Sequence, residues 1–399
     1  MLYVGIDLHG KQMTVCAREE NGDVVLRRQV STRGDKVVSF LEELSTRNGG
    51  EYVVLLEVCG FHNWLVDRLK GEPFCRELVL VQPQQTSKKK TDRRDANHLS
   101  EMLWVNRQRL LAGEAIQGVR RVYIPSDDER QDRQLTSVRM RLGRLKTRTV
   151  NQMRHILRRN NLEWERPTKT FATKKVKHWL KTLTLDETDR LEMDQLLEQW
   201  ELWERHIAQM EERIEARFEK SAAAKLLATI VGVSCYMALA ISSRIGDIRR
   251  FAHGRSLANF FGLTPGSRSS GDKERLGSIT KQGSRIVRFL LGQLVVHVLR
   301  KDEKLRTWSR AIKKRRGANI ARVAVMRRMT VIIQRMLSKQ EQYHYDGITE
   351  PRRRPDPASP SAACELPDRA TIVATYLPPG MCVSEEGKVP VPFLCSEEG

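Results

Sequence analysis

The run Tyr52-Val53-Val54-Leu55-Leu56-Glu57-Val58 constrains this chain more than any other feature. It does not alternate, is short for a buried helix and is rich in β-branched residues, so it reads as a strand covered on both faces of a sheet. Such a strand needs helices above and below it, and apolar residues at helical spacing flank it across 36–44 and 61–69. Before it, Tyr3-Val4-Gly5-Ile6-Asp7-Leu8 and segments 13–17 and 24–30 read as strands, the last two joined by the turn signal Asn21-Gly22-Asp23. A strand at 77–81 and a helix at 92–105 follow. Strands first and alternation afterwards predict an α/β domain over 1–110.

Two acids interrupt those apolar strands. Asp7 lies in the middle of the opening strand and Glu57 at the end of the apolar run, where burial without compensation is expensive. Binding a metal is one compensation. The segment Lys90-Thr91-Asp92-Arg93-Arg94-Asp95-Ala96 adds Asp92 and Asp95, three apart on one face of a helix start. Taken alone, that pair is also what a helix dipole favours; capping does not explain acids inside strands. Four carboxylates suit a hard divalent cation, Mg²⁺ or Mn²⁺, and a pair of such ions about 4 Å apart serves phosphoryl transfer.

Charge points to the partner. The chain carries 70 Lys and Arg against 49 Asp and Glu, a formal net charge of +21, and nucleic acid is the polyanion that best accounts for it. No stretch near the start reads as a signal peptide, and the longest apolar run, 226–242, is broken by Thr229, Gly232 and Ser234 and is short for a bilayer span. That run is expected to be a buried helix, with neither export nor membrane insertion. Seven scattered cysteines without metal-ligand spacing fit a reducing cytoplasm.

Helical periodicity takes over in the middle of the chain. Leu135, Val138, Leu142 and Leu145 recur at helical steps, prolonged by Met153, Ile156 and Leu157. Leu196, Trp200, Trp203, Ile207, Met210 and Ile214 keep heptad spacing, which favours a paired or coiled-coil helix; an ordinary amphipathic helix packed on its own domain gives the same stripe. A helical basic and coiled-coil region is therefore expected over 130–220. Within it, 139–181 holds 14 Lys or Arg against Glu163 and Glu165, a surplus too one-sided for internal pairing and read as a phosphate-binding surface rather than a solvated face. A third, mostly helical unit is expected over 222–340. Residues 300–354 hold 17 basic and five acidic residues, and nine of the 14 prolines fall in 351–399, which is expected to be an unstructured tail.

A second constellation lies at 262–283. It contains Gly262-Leu263-Thr264-Pro265-Gly266-Ser267-Arg268-Ser269-Ser270-Gly271 and Leu276-Gly277-Ser278-Ile279-Thr280-Lys281-Gln282-Gly283, followed by Arg285 and Arg288. Glycines permit close approach to a phosphate, Lys and Arg would hold it, and an activated serine would serve as nucleophile. A polar surface loop making turns has the same composition.

In this order, Asp7, Glu57, the Lys90–Ala96 segment and the Leu276–Gly283 segment resemble the DEDD transposases of bacterial insertion sequences, a family known as bridge-RNA-guided recombinases. The resemblance covers residues 1 to about 340. It implies an RNase H-like, RuvC-like N-terminal domain, a mostly α coiled-coil connector and an α-helical C-terminal transposase domain. It implies that Asp7, Glu57, Asp92 and Asp95 are metal ligands and that a C-terminal-domain serine becomes covalently joined to DNA. Ser270 matches that serine, with Ser269 and Ser278 as alternatives. It also implies a structured noncoding guide RNA that pairs with DNA, and a homo-oligomer, dimer or tetramer. The family commonly opens its C-terminal domain with a Pro-Gly-x-Gly hairpin; this chain has Ile230-Val231-Gly232-Val233-Ser234.

The expected function is thus an insertion-sequence transposase that cuts and rejoins DNA by metal-assisted serine attack. The alternatives are a RuvC-like two-metal nuclease without a covalent intermediate and a nucleic-acid-binding scaffold with an inactive site.

Overall fold

The chain opens with three strands, β1 (Leu2–Leu8), β2 (Gln12–Arg18) and β3 (Val24–Ser31), paired antiparallel in succession. Helix α1 (Gly34–Thr46) then delivers β4 (Tyr52–Glu57) to the far side of β1, parallel to it, and α2 (Asn63–Lys70) crosses over to β5 (Cys75–Gln82), parallel to β4. Helices α3 (Asp92–Val105) and α4 (Arg107–Leu111) precede a two-residue edge strand, β6 (Arg120–Arg121), antiparallel to β5. The sheet order is β3-β2-β1-β4-β5-β6. The structure is a computed structural model that describes residues 1–46, 50–82, 92–114, 116–270 and 273–344. The expected tail, 351–399, lies outside the described residues, as do the side chains of 92–93 and 267–276.

Side-chain alternation gives this sheet two cores. Val4, Ile6 and Leu8 of β1 join Tyr52, Val54 and Leu56 of β4 against Phe40 and Leu44 of α1 and Leu65 and Leu69 of α2. Tyr3, Val53, Leu55, Val79 and Val81 face the other way, onto Leu99 and Leu103 of α3. Burying both faces is what makes 52–57 read as continuous rather than alternating. This mixed sheet with a mostly helical remainder is the architecture an RNase H-like domain leads one to expect.

The remainder is built on two long helices, α5 (Asp127–Arg159) and, after the short α6 (Lys174–Thr182), α7 (Glu187–Lys220). Helix α5 starts with a complete capping box, Ser126 and Glu129 each closing the other's free N–H, and at 33 residues is about 50 Å long. The pair is antiparallel: Arg217 near the end of α7 bonds Asp128 and Asp132 near the start of α5, while Arg159 at the end of α5 pairs with Asp189 at the start of α7. The heptad residues Leu196 and Trp200 are buried against Met153, Ile156 and Leu157 of the same chain. The stripe is therefore satisfied largely within one chain and does not by itself call for a second copy.

Helices α8 (Ala222–Ala228), α9 (Cys235–Ile245), α10 (Gly254–Phe260), α11 (Arg285–Lys301), α12 (Glu303–Arg316) and α13 (Ala318–Lys339) enclose another core with Met140 of α5 and Ile214 and Phe218 of α7. The run 226–242 is buried at Leu227, Ile230 and 237–242, but Gly232 and Ser234 are exposed and it forms parts of two helices rather than one. Gly232 turns the chain between them at φ +87°, and a Cβ there would meet the His297 Cβ at 2.3 Å. Between α10 and α11, the segment read as loop forms an antiparallel hairpin, β7 (Pro265–Ser270) with β8 (Lys273–Ile279). Its polar residues carry no alternation, so periodicity gives no sign of strands. Among the described residues, no helix is long and apolar enough to cross a membrane.

Candidate active site

The faces of the sheet place the acids. Because Val4, Ile6 and Leu8 fill the core under α1 and α2, Asp7 faces α3; because Tyr52, Val54 and Leu56 do the same in β4, Glu57 also faces α3. Ile6 pairs with Leu56, so Asp7 and Glu57 come next along adjacent parallel strands, at the same end of the sheet. Asp95 arrives through α3, which lies directly on β1. The contact depends on Gly5, where a Cβ would meet Ala96 O at 2.4 Å and Ser100 N at 2.3 Å. Asp95 is the residue before Ala96 and is half-buried. The backbone of Asp92 begins α3, three residues before Asp95, and its side chain lies outside the described residues.

Asp7 has only 13% of its side chain exposed, and His9 Nε2 stands 3.0 Å from its Oδ2. His9 and Thr14, which faces Asp7 across the β1–β2 ladder, are polar groups at this edge that the sequence reading passed over. The signals were a histidine two residues after the strand acid and a hydroxyl inside the apolar strand Met13-Thr14-Val15-Cys16-Ala17. Among the described residues, no group of three or more His, Cys, Asp or Glu side chains is arranged to hold a metal; that set leaves out Asp92. As donors, the four carboxylates fit a hard divalent cation.

The serine segment is elsewhere. Ser269 and Ser270 belong to β7, paired with Glu274 and Lys273, and their side chains lie outside the described residues; Ser278 is exposed on β8. Among the described residues, no substantial contact joins this hairpin to the acid-bearing sheet. Arg288, expected to hold phosphate, instead pins the turn: its Nη1 donates to the carbonyls of Phe261, Gln282 and Gly283 at 3.1, 3.0 and 3.1 Å, and burial lowers its pKa. In the Ile230–Ser234 turn, Ser234 caps α9 through Met237 N, at the position where the family pattern has its second glycine.

The basic stretch 139–181 is partly neutralised within the fold, against the expectation that its surplus is too one-sided for internal pairing. Six of its fourteen cations, Arg139, Lys146, Arg158, Arg159, Lys177 and Lys181, form ion pairs, mostly with acids of α7 from outside the window. The surplus looked one-sided because pairing across the helix hairpin is invisible in a linear window. Arg144 and Arg148 stay open, lining a groove of about 540 Å³ with Thr147, Asn151, Gln152 and His155. At the end of α12, Lys313, Lys314, Arg315 and Arg316 are exposed and form no ion pair among the described residues.

The chain is similar to known proteins over most of its length. Residues 4–161 match a family described as Transposase, of the DEDD type, and residues 224–310 match the family described as Transposase IS116/IS110/IS902 family. It is 29% identical to the transposase for insertion sequence element IS1111A of Coxiella burnetii, covering 85% of this chain and 90% of that protein. It is 27% identical to the "Probable family 20 transposase" of Pseudomonas aeruginosa, covering 85% of this chain and 98% of that protein.

An acid-bearing mixed sheet joined to a basic helical body, with these matches at both ends, makes the chain a DNA transposase, an enzyme of DNA strand cleavage and transfer. It belongs to the IS110 family of DEDD-type insertion-sequence transposases. DNA is accordingly its partner, and its DEDD-type domain points to divalent-metal dependence in general.

Proposed function

We propose that this transposase cuts and rejoins DNA through a serine-linked intermediate, guided by a noncoding RNA. The observation that supports the acid centre is the shared facing of Asp7 and Glu57, with α3 brought over them by Gly5. Asp7, Glu57, Asp92 and Asp95 would hold Mg²⁺, which when bound draws charge from the scissile phosphate. Ser270 Oγ attacks phosphorus, forming an O–P bond to the protein; the bond to one DNA end breaks, and that end leaves as a hydroxyl carrying the serine proton. Attack by another DNA hydroxyl reverses the exchange and frees the serine. No phosphodiester energy is lost, so no external energy source is needed.

The separation of hairpin and acids along a single chain favours assembly of the centre between copies in a dimer or tetramer. Leu135, Val138 and Met210, half-buried around a groove between α5 and α7, are the apolar surface we assign to that contact. We divide the chain into units of 1–110, 130–220 and 222–340, the last sharing its core with Met140, Ile214 and Phe218 of the long helix pair. The exposed cations of α5 and α12 suit backbone contacts with RNA or DNA, leaving sequence reading to base pairing.

The deciding experiment traps protein–DNA adducts on element-end DNA. Wild type should yield a serine-linked product, Ser270→Ala none, and Asp7→Asn or chelation neither cleavage nor adduct. Cleavage by Ser270→Ala without an adduct would establish the hydrolytic nuclease instead. That alternative draws support from the same separation of serine and acids.

A further inference from the structure

Beside the acids lies a second feature that the chemistry above does not use. Thr14 is 4% exposed and its Oγ1 has no hydrogen-bond partner among the described residues. A buried hydroxyl is normally paired, so one left open calls for an explanation. It lines a cleft of about 540 Å³ together with Cys16, Arg27, Gln29, Arg94 and Asn97.

Of the arginines lining the cleft, Arg28 is paired with Glu43 at 2.6 Å, whereas Arg27 and Arg94 form no ion pair among the described residues. Arg18 and Arg27 both donate to one neutral oxygen, Asn97 Oδ1, at 3.2 and 3.1 Å. Neither meets an acid among the described residues, and Arg94 is exposed and likewise without an ion pair. Converging guanidiniums beside an unpaired hydroxyl donor suit an anion with several acceptor oxygens.

The position of the cleft says which anion. Thr14 is the cross-strand partner of Asp7 and lies on the same face of the sheet, because Met13, Val15 and Ala17 take the opposite face. Facing side chains on adjacent strands start about 5 Å apart. A DNA strand with one phosphate at the acids therefore reaches this cleft with a neighbouring phosphate.

We propose that the cleft binds the phosphodiester adjacent to the scissile one in the DNA strand being cut, with Thr14, Arg27 and Arg94 as its donors. This assignment rests on the acid-centre reading given under the proposed function. The cleft sets the strand's register over the acids, and the fold carries an unpaired threonine hydroxyl so that DNA can use it.

The test is a scan of single neutral methylphosphonate linkages along element-end DNA, with the element's noncoding transcript present. In wild type, neutralising the adjacent linkage should slow cleavage about tenfold, the scale of one charge-assisted hydrogen bond. Thr14→Val and Arg94→Gln should each slow cleavage of ordinary DNA about tenfold and become insensitive to that one linkage. Thr14→Val should melt no lower than wild type, since it removes only an unpaired hydroxyl, and Thr14→Ser should retain cleavage. Wild-type cleavage rates in Thr14→Val and Arg94→Gln, or slow cleavage with the linkage effect intact, overturn the proposal. So does weakened binding of the noncoding RNA in chelator with the linkage effect unchanged, which would give the cleft to RNA. Asp7→Asn is run alongside: if it cleaves like wild type, the acid-centre reading falls and takes the cleft with it; if it is inactive while the cleft variants behave as wild type, only the cleft falls.

Discussion

A Cβ atom on Gly5 would lie 2.4 Å from the carbonyl oxygen of Ala96. The strand carrying Asp7 and the helix carrying Asp95 are thus in backbone contact, and that contact depends on a missing side chain. Gly5→Ala should push α3 off the sheet, costing about 1–3 kcal/mol of stability as overpacking does. It should also reduce DNA cleavage far more than that loss of folded protein explains. Urea denaturation and a cleavage assay at a temperature where the variant stays folded check both.

Asp302 closes the C-terminal core. It is 2% exposed, accepts from Leu305 N at 2.7 Å as the cap of α12, and accepts from Tyr343 Oη at 3.1 Å. Asp302→Ala removes the cap and leaves the phenol without this acceptor, so a loss of about 2–4 kcal/mol is expected. Tyr343→Phe should cost less, about 1 kcal/mol. In a double-mutant cycle the two losses should not add.

The junction of α5 and α7 sets an acid limit. The hydrogen bond from Arg159, and then that from Asn160, hold the Asp189 carboxyl below its ordinary pKa. A carboxylate with a depressed folded pKa stabilises fully above its unfolded value, about 4, and the contribution disappears as pH falls through the folded value. Asp189→Asn should therefore lower the melting temperature at pH 7 and flatten its fall between about pH 4 and 2. A variant curve parallel to wild type in acid would refute this.

The four cations ending α12 should act through charge alone. Replacing Lys313, Lys314, Arg315 and Arg316 with Gln should weaken DNA binding by a similar factor for every sequence. The slope of log affinity against log salt should become shallower by about 0.9 for each phosphate that the variant no longer neutralises. Filter binding across about 50–300 mM salt measures it, and an unchanged slope would show that this surface faces away from nucleic acid.

How much could be read from the sequence differs from segment to segment. The sheet strands announced themselves because burial on both faces writes unbroken aliphatic runs, as in Tyr52–Glu57, and Asp7 and Glu57 stood out against that background. The β7–β8 hairpin did not, because its residues are polar and its pairing is backbone to backbone. Arg288 looked like a phosphate ligand by composition, yet its partners are carbonyls of a turn whose shape no spacing rule supplies.

By itself, the sequence determined the α/β character of the first domain, the helical remainder, the basic surplus and the order of motifs that marks the family. These depend on local periodicity and residue type, which a linear reading preserves. Tertiary structure alone decided that the heptad stripe of α7 would be covered by α5, that cations such as Arg139 and Arg159 would be neutralised by Glu211 and Asp189 on the facing helix, and that Thr14 would be buried next to Asp7 with no hydrogen-bond partner for its hydroxyl among the described residues. Each of these is a relation between residues far apart in the chain. Its energy exists only once chain folding brings the two surfaces together and excludes water from between them.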